Sequence, residues 1–600
     1  MSRLLSSALS LRRDPRILRL PPYLSFLCVI VGLVWLLLLP LDDYARKTYI
    51  SENALLPGQV HTYFGGSEQN VLRAYRQELE GFAEGSGVDA NDKLEDFMKD
   101  LGVKVGRQNY TYYASGSEYS GENVYGILQA PRGDATEAIV LVAAWRSVDG
   151  RFNRNGVPLA LTLARYFKRW SLWSKDIILV FPPDSRIGIQ AWVDAYHDAH
   201  NPKHVAPLPL KSGALQGALA LDYPLEHRFE AMHIIYDGIN GQLPNLDLIN
   251  SVANIASNQM GIHTFIQDMR HHDAGYMDRL RTIARGMMKQ GLGNSGGPHS
   301  SFIPYHVDAV TMQPYGKGWH DEMAMGRVVE GSFRSLNNLL EHLHQSFFFY
   351  LLMQRDRFVS IGTYLPSAMI LATNFTIMAI FLWVKGRQPK LATAGREITG
   401  PASAAKLDTH TPSTSSSELL MPAGIVLACH VLAVIPLYIF NHLPGNVLSM
   451  AFINFTGISA ALPFVISHLL EASYGPSAKQ YQIMKSFSLL VMGASLSTLA
   501  TLNFSLSFLV SIFAAPLSFV RSSRSESIKL LTYGAMNLLA PTVVIYSGAL
   551  GAGLDIGEVL KEASFGWNVW GMYTPVIVWG IWWPAWIVGM IHVLGVPVVE

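Results

Sequence analysis

The feature that most constrains this chain is a set of apolar runs at both ends of a long polar stretch. Residues 21–41 and nearly everything after Phe358 form runs long enough to cross a bilayer, whereas Asp42 to Arg357 is composed like a soluble domain. A helix crossing the hydrocarbon core needs about 20 consecutive apolar residues, because its backbone groups must bond to one another where no water reaches. On that length the spans are Pro21–Leu41, Ile361–Val384, Leu419–Phe440, Val447–Leu470, Phe487–Leu502, Phe504–Val520, Ile528–Leu550 and Val569–Leu594, eight in all. The division at Asn503 separates two short apolar pieces, the fifth and sixth spans. The composition agrees: 50% of residues are hydrophobic and 15% charged, too apolar for a soluble chain.

Charge sets the expected orientation. Residues 1–20 carry Arg3, Arg12, Arg13, Arg16 and Arg19 against one acid, Asp14. The apolar segment that follows is longer than the roughly 7–15 residues of a signal-peptide core, and Leu-Pro-Leu-Asp-Asp at its end is a poor cleavage site. An uncleaved anchor with a cytosolic amino terminus is therefore expected. Lys385, Arg387, Lys390, Arg396, Lys406, Lys479, Lys485, Arg521, Arg524 and Lys529 fall in alternate loops, while the other loops hold only Lys561. By the positive-inside rule the basic loops are cytosolic and the domain 42–357 lies across the membrane. The segment 385–418 contains a Ser/Thr/Pro/Ala-rich linker, Thr399–Ser417, expected to be flexible. The formal charge of +1 and the lack of a basic patch give no support to nucleic-acid binding, and no span carries a row of charges for an ion pathway. Cys28 and Cys429 both lie in apolar runs, so the large domain has no disulfide to report its redox compartment.

Within that domain the stretch Asn123–His197 organises the rest. A short apolar run, Ala138–Ala144, reads as a buried strand, and Leu159, Leu163, Tyr166 and Phe167 recur at helical spacing within Gly156–Trp170. A second buried strand, Ile177–Phe181, and a helical pattern, Ile189–His200, follow. Strand, helix, strand, helix implies a parallel sheet whose chemistry sits beyond the strands' carboxyl ends. Those ends are Trp145-Arg146-Ser147, Arg154-Asn155-Gly156 and Pro182-Pro183-Asp184. Helices are further expected at Ser67–Phe82, Asn91–Leu101, Asn245–Gln259 and Met277–Gln290, and strands at Gly213–Leu221 and His227–Tyr236. From Met325 to Tyr350, Val329, Leu336, Leu343 and Tyr350 alternate with Phe333, Leu340 and Phe347, which predicts one long amphipathic helix. Asn109-Tyr110-Thr111 is a glycosylation sequon that fits the far side of the membrane; Asn374, Asn454 and Asn503 also begin sequons, but in or beside apolar spans.

The layout of the domain resembles the zinc aminopeptidases with two co-catalytic metals. The resemblance implies a mostly parallel sheet flanked by helices, and a ligand set of His-x-Asp, an Asp before Asn-Gly, a Glu pair, an Asp and a His. Divalent metals need such nitrogen and carboxylate donors. Here those positions hold Trp145-Arg146-Ser147, Arg154 and about Pro182-Pro183; only Asp222 and His299 match, with Asp184 one residue from the Glu pair as a displaced candidate. A peptidase-like fold without its metal is expected, with Asp222 and His299 in a structural hydrogen bond.

The whole chain resembles a narrower family, the GPI anchor attachment proteins, the large multi-spanning subunits of the glycosylphosphatidylinositol (GPI) transamidase. The matching stretches are TYISENALLPG at Thr48–Gly58, NVYGILQAPR at Asn123–Arg132, AWVDAYHD at Ala191–Asp198, NGQLPNLDLIN at Asn240–Asn250, and LLEHLHQSFFFYLL with RFVSIGTYLP within Leu339–Pro366. The resemblance implies a multi-pass protein of the endoplasmic reticulum membrane with its large domain in the lumen. Its implied partners are the other transamidase subunits, including a cysteine protease-like catalytic one, the GPI lipid, substrate proteins and the membrane, with no cofactor. A non-catalytic subunit that binds and presents the lipid, with the substrate protein as a second open cargo, is the expected function. A membrane-anchored zinc-dependent peptidase or peptide-bond-forming enzyme is the alternative, and a pure scaffold a third reading.

Two places are expected to meet the lipid. At the outer edge of the first span, Ser51 and Asn53 offer hydrogen bonds to sugar hydroxyls, Glu52 an acid for amines, and Tyr49 an interfacial ring. In the last span, Pro575 and Pro584 bend a helix that also carries Trp579, Trp582, Trp583 and Trp586. Packing with an aromatic belt is one reading of that span; a kinked wall at Pro584 for the lipid's chains is the other.

Overall fold

The computed structural model describes residues 19–57, 59, 61–82, 88–386 and 416–597. The arginines at positions 3–16, Gly58 and nearly all of the linker 385–418 lie outside the described residues.

The α/β domain is built on an eight-stranded mixed sheet with the order β2-β3-β5-β4-β6-β9-β7-β8. Its members are β2 (Lys104–Ala114), β3 (Ser117–Leu128), β4 (Glu137–Val142), β5 (Asp176–Phe181), β6 (Ala214–Leu221), β7 (Phe229–Ile235), β8 (His263–Phe265) and β9 (Ala309–His320). The centre, β5-β4-β6-β9, is parallel, as the alternation of strand and helix predicts. Helices cover both faces, so every residue of β5 is buried and both central strands read as continuous apolar runs. The crossover helices Gly156–Lys168 and Ile187–Tyr196 are themselves buried along most of their length.

Antiparallel strands extend this centre. β2 and β3 form a hairpin through Ser115 (φ 50°) and Gly116 (φ 71°), the paired positive φ values of a turn that matches strand twist, and β3 then runs antiparallel to β5. Neither strand of the hairpin was expected from the apolar pattern, because β2 alternates buried and solvated residues along a sheet edge.

The long helix expected over Met325–Tyr350 is corrected. A helix spans Glu322–Asn337 and stops there. Asn337 turns its Oδ1 onto the amides of Ser174 (2.9 Å) and Lys175 (3.2 Å), a competing use of an Asn side chain that ends the helix. The chain then runs irregularly to a second, three-stranded sheet, β1 (Arg46–Lys47), β11 (Arg357–Ser360) and β10 (Tyr350–Gln354), in that order. Leu336, Leu343 and Tyr350 are all still buried, whereas Leu340 is 88% exposed. One half of the heptad pattern thus records core packing, not helix.

Among the described residues six helices, not the eight expected, are long and apolar enough to cross a membrane: Leu20–Leu38, Ile361–Gly386, Leu419–His442, Gly445–Tyr474, Ala478–Leu502 and Thr574–Leu594. The pair Glu526–Asn537 and Pro541–Gly551, bent by 47°, makes a seventh if it is one span, and Phe504–Phe519 is a shorter apolar helix. The last span starts later than expected, because Gly571 at φ 63° closes a separate helix, Ile556–Trp570. The three-stranded sheet ties the first two spans together: Arg46 pairs with Phe358 just outside them. Along the spans Ser25 Oγ donates to Asn374 O (3.2 Å) and Trp35 Nε1 to Thr363 O (2.8 Å).

Candidate functional site

Structural residues fill the strand ends that would carry peptidase chemistry. Trp145 is buried and stacked on Phe152, and its amide bonds to Pro182 O (2.9 Å). Arg154 faces outward to pair with Glu80 and with Glu226 (2.7 Å). The centre of this corner is Asn153, which lies one residue before the position of an expected metal ligand. Its Nδ2 donates to Ala144 O (2.8 Å) and Leu221 O (2.9 Å), and its Oδ1 accepts from the amides of Gly156 (3.1 Å) and Tyr223 (2.8 Å). That side chain pins β4, β6 and the first crossover helix together. A Cβ on Gly156 would lie 2.3 Å from Asn153 Oδ1, so only glycine fits beneath it.

Asp222 and His299 are both buried, but they are held by different partners rather than by each other. Asp222 Oδ2 accepts from Gln313 Nε2 (2.9 Å), and burial pushes its carboxyl up to about 7. His299 Nε2 lies 3.1 Å from the carbonyl of Asp237, which can only accept, so Nε2 carries the proton; Nδ1 then accepts from Thr311 Oγ1 (2.8 Å). Both ring nitrogens are thereby occupied, and burial pushes the imidazole down to about 4. Asp184 caps the helix Ile187–Tyr196 by accepting from the amides of Arg186 and Ile187, both at 2.7 Å. Among the described residues no three His, Cys, Asp or Glu side chains are grouped to hold a metal ion. The residues at this corner do not fit the metals that the aminopeptidase resemblance implies.

The edge of the first span is organised differently. Asp247 accepts from the amides of Ser51 (3.0 Å) and Glu52 (2.7 Å), and Asn250 Nδ2 donates to Tyr49 O (2.9 Å). The segment is thus fixed through its backbone. Tyr49 is 53% exposed, Asn53 is exposed and Ser51 is half-buried. Glu52 is 8% exposed, and its Oε2 has no hydrogen-bond partner. His344 Nδ1 stands 3.7 Å from that oxygen, and the His342 carbonyl, then the Glu52 charge, push the imidazole's pKa up.

The last span does not present its tryptophans as a belt. Trp579, Trp582, Trp583 and Trp586 are all buried, with Trp583 Nε1 on Ser459 Oγ (2.8 Å) and Trp586 Nε1 on Met536 O (3.1 Å). The wide turn Val578–Trp582 runs straight into Pro584, which is buried inside the continuous span Thr574–Leu594, and a local π turn of this kind accommodates a proline's missing N–H. Asn109 is exposed on β2, opposite Glu122.

Among solved structures, Fimbriiglobus ruber glutaminyl cyclase is 13% identical at a TM-score of 0.32, covering 46% of this chain and 97% of that one. The α/β architecture rests on the strand order itself. The GPI transamidase component GAA1 of Saccharomyces cerevisiae is 33% identical over 85% of this chain and 76% of its own length. The component gaa1 of Schizosaccharomyces pombe is 32% identical over 85% of this chain and 83% of its own. The family described as Gaa1-like, GPI transamidase component, matches residues 120–590, and the chain belongs to that family.

Proposed function

We propose that this chain is a non-catalytic subunit of a GPI transamidase that binds the GPI lipid and presents it to a catalytic subunit. The membrane is that of the endoplasmic reticulum, with residues 42–357 in the lumen and the basic loops in the cytosol. The observation that carries the reading is the Glu52 carboxylate oxygen, buried and without a hydrogen bond, on a segment locked by Asp247 where the first span leaves the bilayer. A buried acceptor without a hydrogen bond is costly even with the His344 imidazole 3.7 Å away, and a lipid amine would gain a charge-assisted bond there. Exposed Tyr49 and Asn53 and the Ser51 hydroxyl flank it at the depth of a glycan headgroup. Because the backbone is already fixed, binding orders little more than side chains. Pro584, buried in the bundle, is proposed to shape a kinked wall beside the lipid's hydrocarbon chains. A zinc peptidase is not favoured, since Trp145, Arg154 and Pro182 stand where ligands are needed.

The test is GPI bound per assembled complex for Ser51→Ala and Glu52→Gln, with assembly checked by pull-down. Glu52→Gln keeps the shape and removes the charge, and is expected to lower occupancy about tenfold. Normal occupancy and normal anchor transfer in both variants would overturn this site. Loss in Pro584→Leu alone would move the headgroup toward the last span.

A further inference from the structure

At the end of the membrane bundle farthest from the α/β domain lies a second feature, independent of the reading above. The spans Ile361–Gly386, Ala478–Leu502 and Thr574–Leu594 each have one end at the α/β domain: Ile361 follows β11, Asn503 bonds to Asn240 and Gln290, and Thr574 bonds to Leu292. Their opposite ends enclose a cavity of about 420 Å³. Lys485, Arg521, Arg524 and His592 line it together with the apolar Phe381 and Leu382. Lys385 is also at its wall, and among the described residues no carboxylate is.

The cavity is built rather than incidental. Lys485 is 2% exposed, and its ammonium donates to the carbonyls of Ser518 (3.3 Å) and Val520 (2.5 Å). Those dipoles orient the charge without neutralising it, and a buried cation lacking an anion is expensive. His592 is 7% exposed, and its Nδ1 has no hydrogen-bond partner. Glu526, which opens the helix after Arg521 and Arg524, is paired with Lys529 (2.9 Å). The walls are braced by Ser518 Oγ on Asn374 Oδ1 (2.7 Å) and by Ser522 on the carbonyl of Gly595.

We propose that this cavity binds the phosphate of an anionic phospholipid from the leaflet on the basic-loop side. A phosphate monoester brings acceptor oxygens enough for an ammonium and two guanidinium groups, a P–OH that can donate to His592 Nδ1, and the counter-charge missing around Lys485. Phe381 and Leu382 offer the glycerol and first methylenes an apolar wall, which a soluble phosphate would leave bare. Basic pockets between spans on this face are a common means of holding acidic headgroups.

The test uses the full-length chain in nanodiscs of phosphatidylcholine, titrated with radiolabelled dioctanoyl phosphatidic acid. Saturable binding is expected at one lipid per chain, with no competition from dioctanoylglycerol and little from glycerol 3-phosphate. Arg521→Ala/Arg524→Ala, which changes two exposed side chains, should weaken binding about 30-fold. His592→Leu should weaken it as well while leaving the melting temperature near that of the parent. Absence of saturable binding, or unchanged affinity in the double variant, would overturn the site. Competition by glycerol 3-phosphate as effective as by the lipid would overturn the lipid and leave a soluble phosphate ester as the ligand.

Discussion

Asn503 joins the short apolar helix to the α/β domain, and replacing it tests how rigidly the two halves are coupled. The residue is 3% exposed. Its Oδ1 accepts from Leu506 N (2.9 Å), capping Phe504–Ala514, while its Nδ2 donates to Asn240 O and Gln290 O, both at 2.9 Å. Asn503→Ala removes the cap, worth about 1 kcal/mol, and two donors to buried carbonyls. Asn240 O keeps a bond from the Tyr573 hydroxyl (3.2 Å), so the second loss is partial. The total comes to about 2 kcal/mol. Asn503→Ser retains a capping oxygen and should lose about half as much. Asn503→Asp retains the cap but turns an acceptor toward two carbonyls, and should be the least stable of the three. Gly241 allows the close approach: at φ 75°, a Cβ there would lie 2.8 Å from Asn503 Nδ2, so Gly241→Ala should resemble Asn503→Ala. Apparent melting temperature in detergent gives the order, which suffices where unfolding is irreversible. Hydrogen exchange at residues 238–242 should rise in the same sequence. An Asp variant as stable as the parent would refute the donor role assigned to Nδ2.

Two further outcomes follow from the α/β domain. His299 has a folded pKa of about 4 against about 6.5 unfolded, so its contribution is present above about pH 6.5 and lost as pH falls to about 4. Asp222, raised to about 7 from about 3.9, acts oppositely, costing stability as pH rises from about 4 to about 7. Asp222→Asn should therefore gain on the parent by up to about 4 kcal/mol between pH 4 and pH 7.5, and a difference that does not change with pH in chemical denaturation would contradict this. If residues 42–357 face the lumen, enzymatic deglycosylation should shift the protein's mobility and Asn109→Gln should abolish the shift; a reporter at residue 415 that reads as lumenal would contradict the topology.

What the sequence determines here is what solvent alone selects. Apolar runs of bilayer length mark six or seven of the eight expected spans among the described residues, and the buried strands β4 and β5 with their crossover helices are legible because both faces of the sheet are covered. The loss of metal ligands is equally legible, since Trp145, Arg154 and Pro182 lack the donors whatever their surroundings. Tertiary structure decided the rest. An edge strand such as β2 has no continuous apolar run to announce it, and the end of the helix at Asn337 depends on amides of Ser174 and Lys175 that are distant in sequence. The tryptophans of the last span read as packing with an aromatic belt, and only the packing holds, because all four are buried and Ser459 and Met536 bond two of them within the bundle. The exposed-looking Glu52 is buried because Asp247, nearly two hundred residues away, holds its amide at 2.7 Å. Local pattern reports how each segment meets water or lipid, whereas the partner of a buried polar group is chosen by three-dimensional proximity.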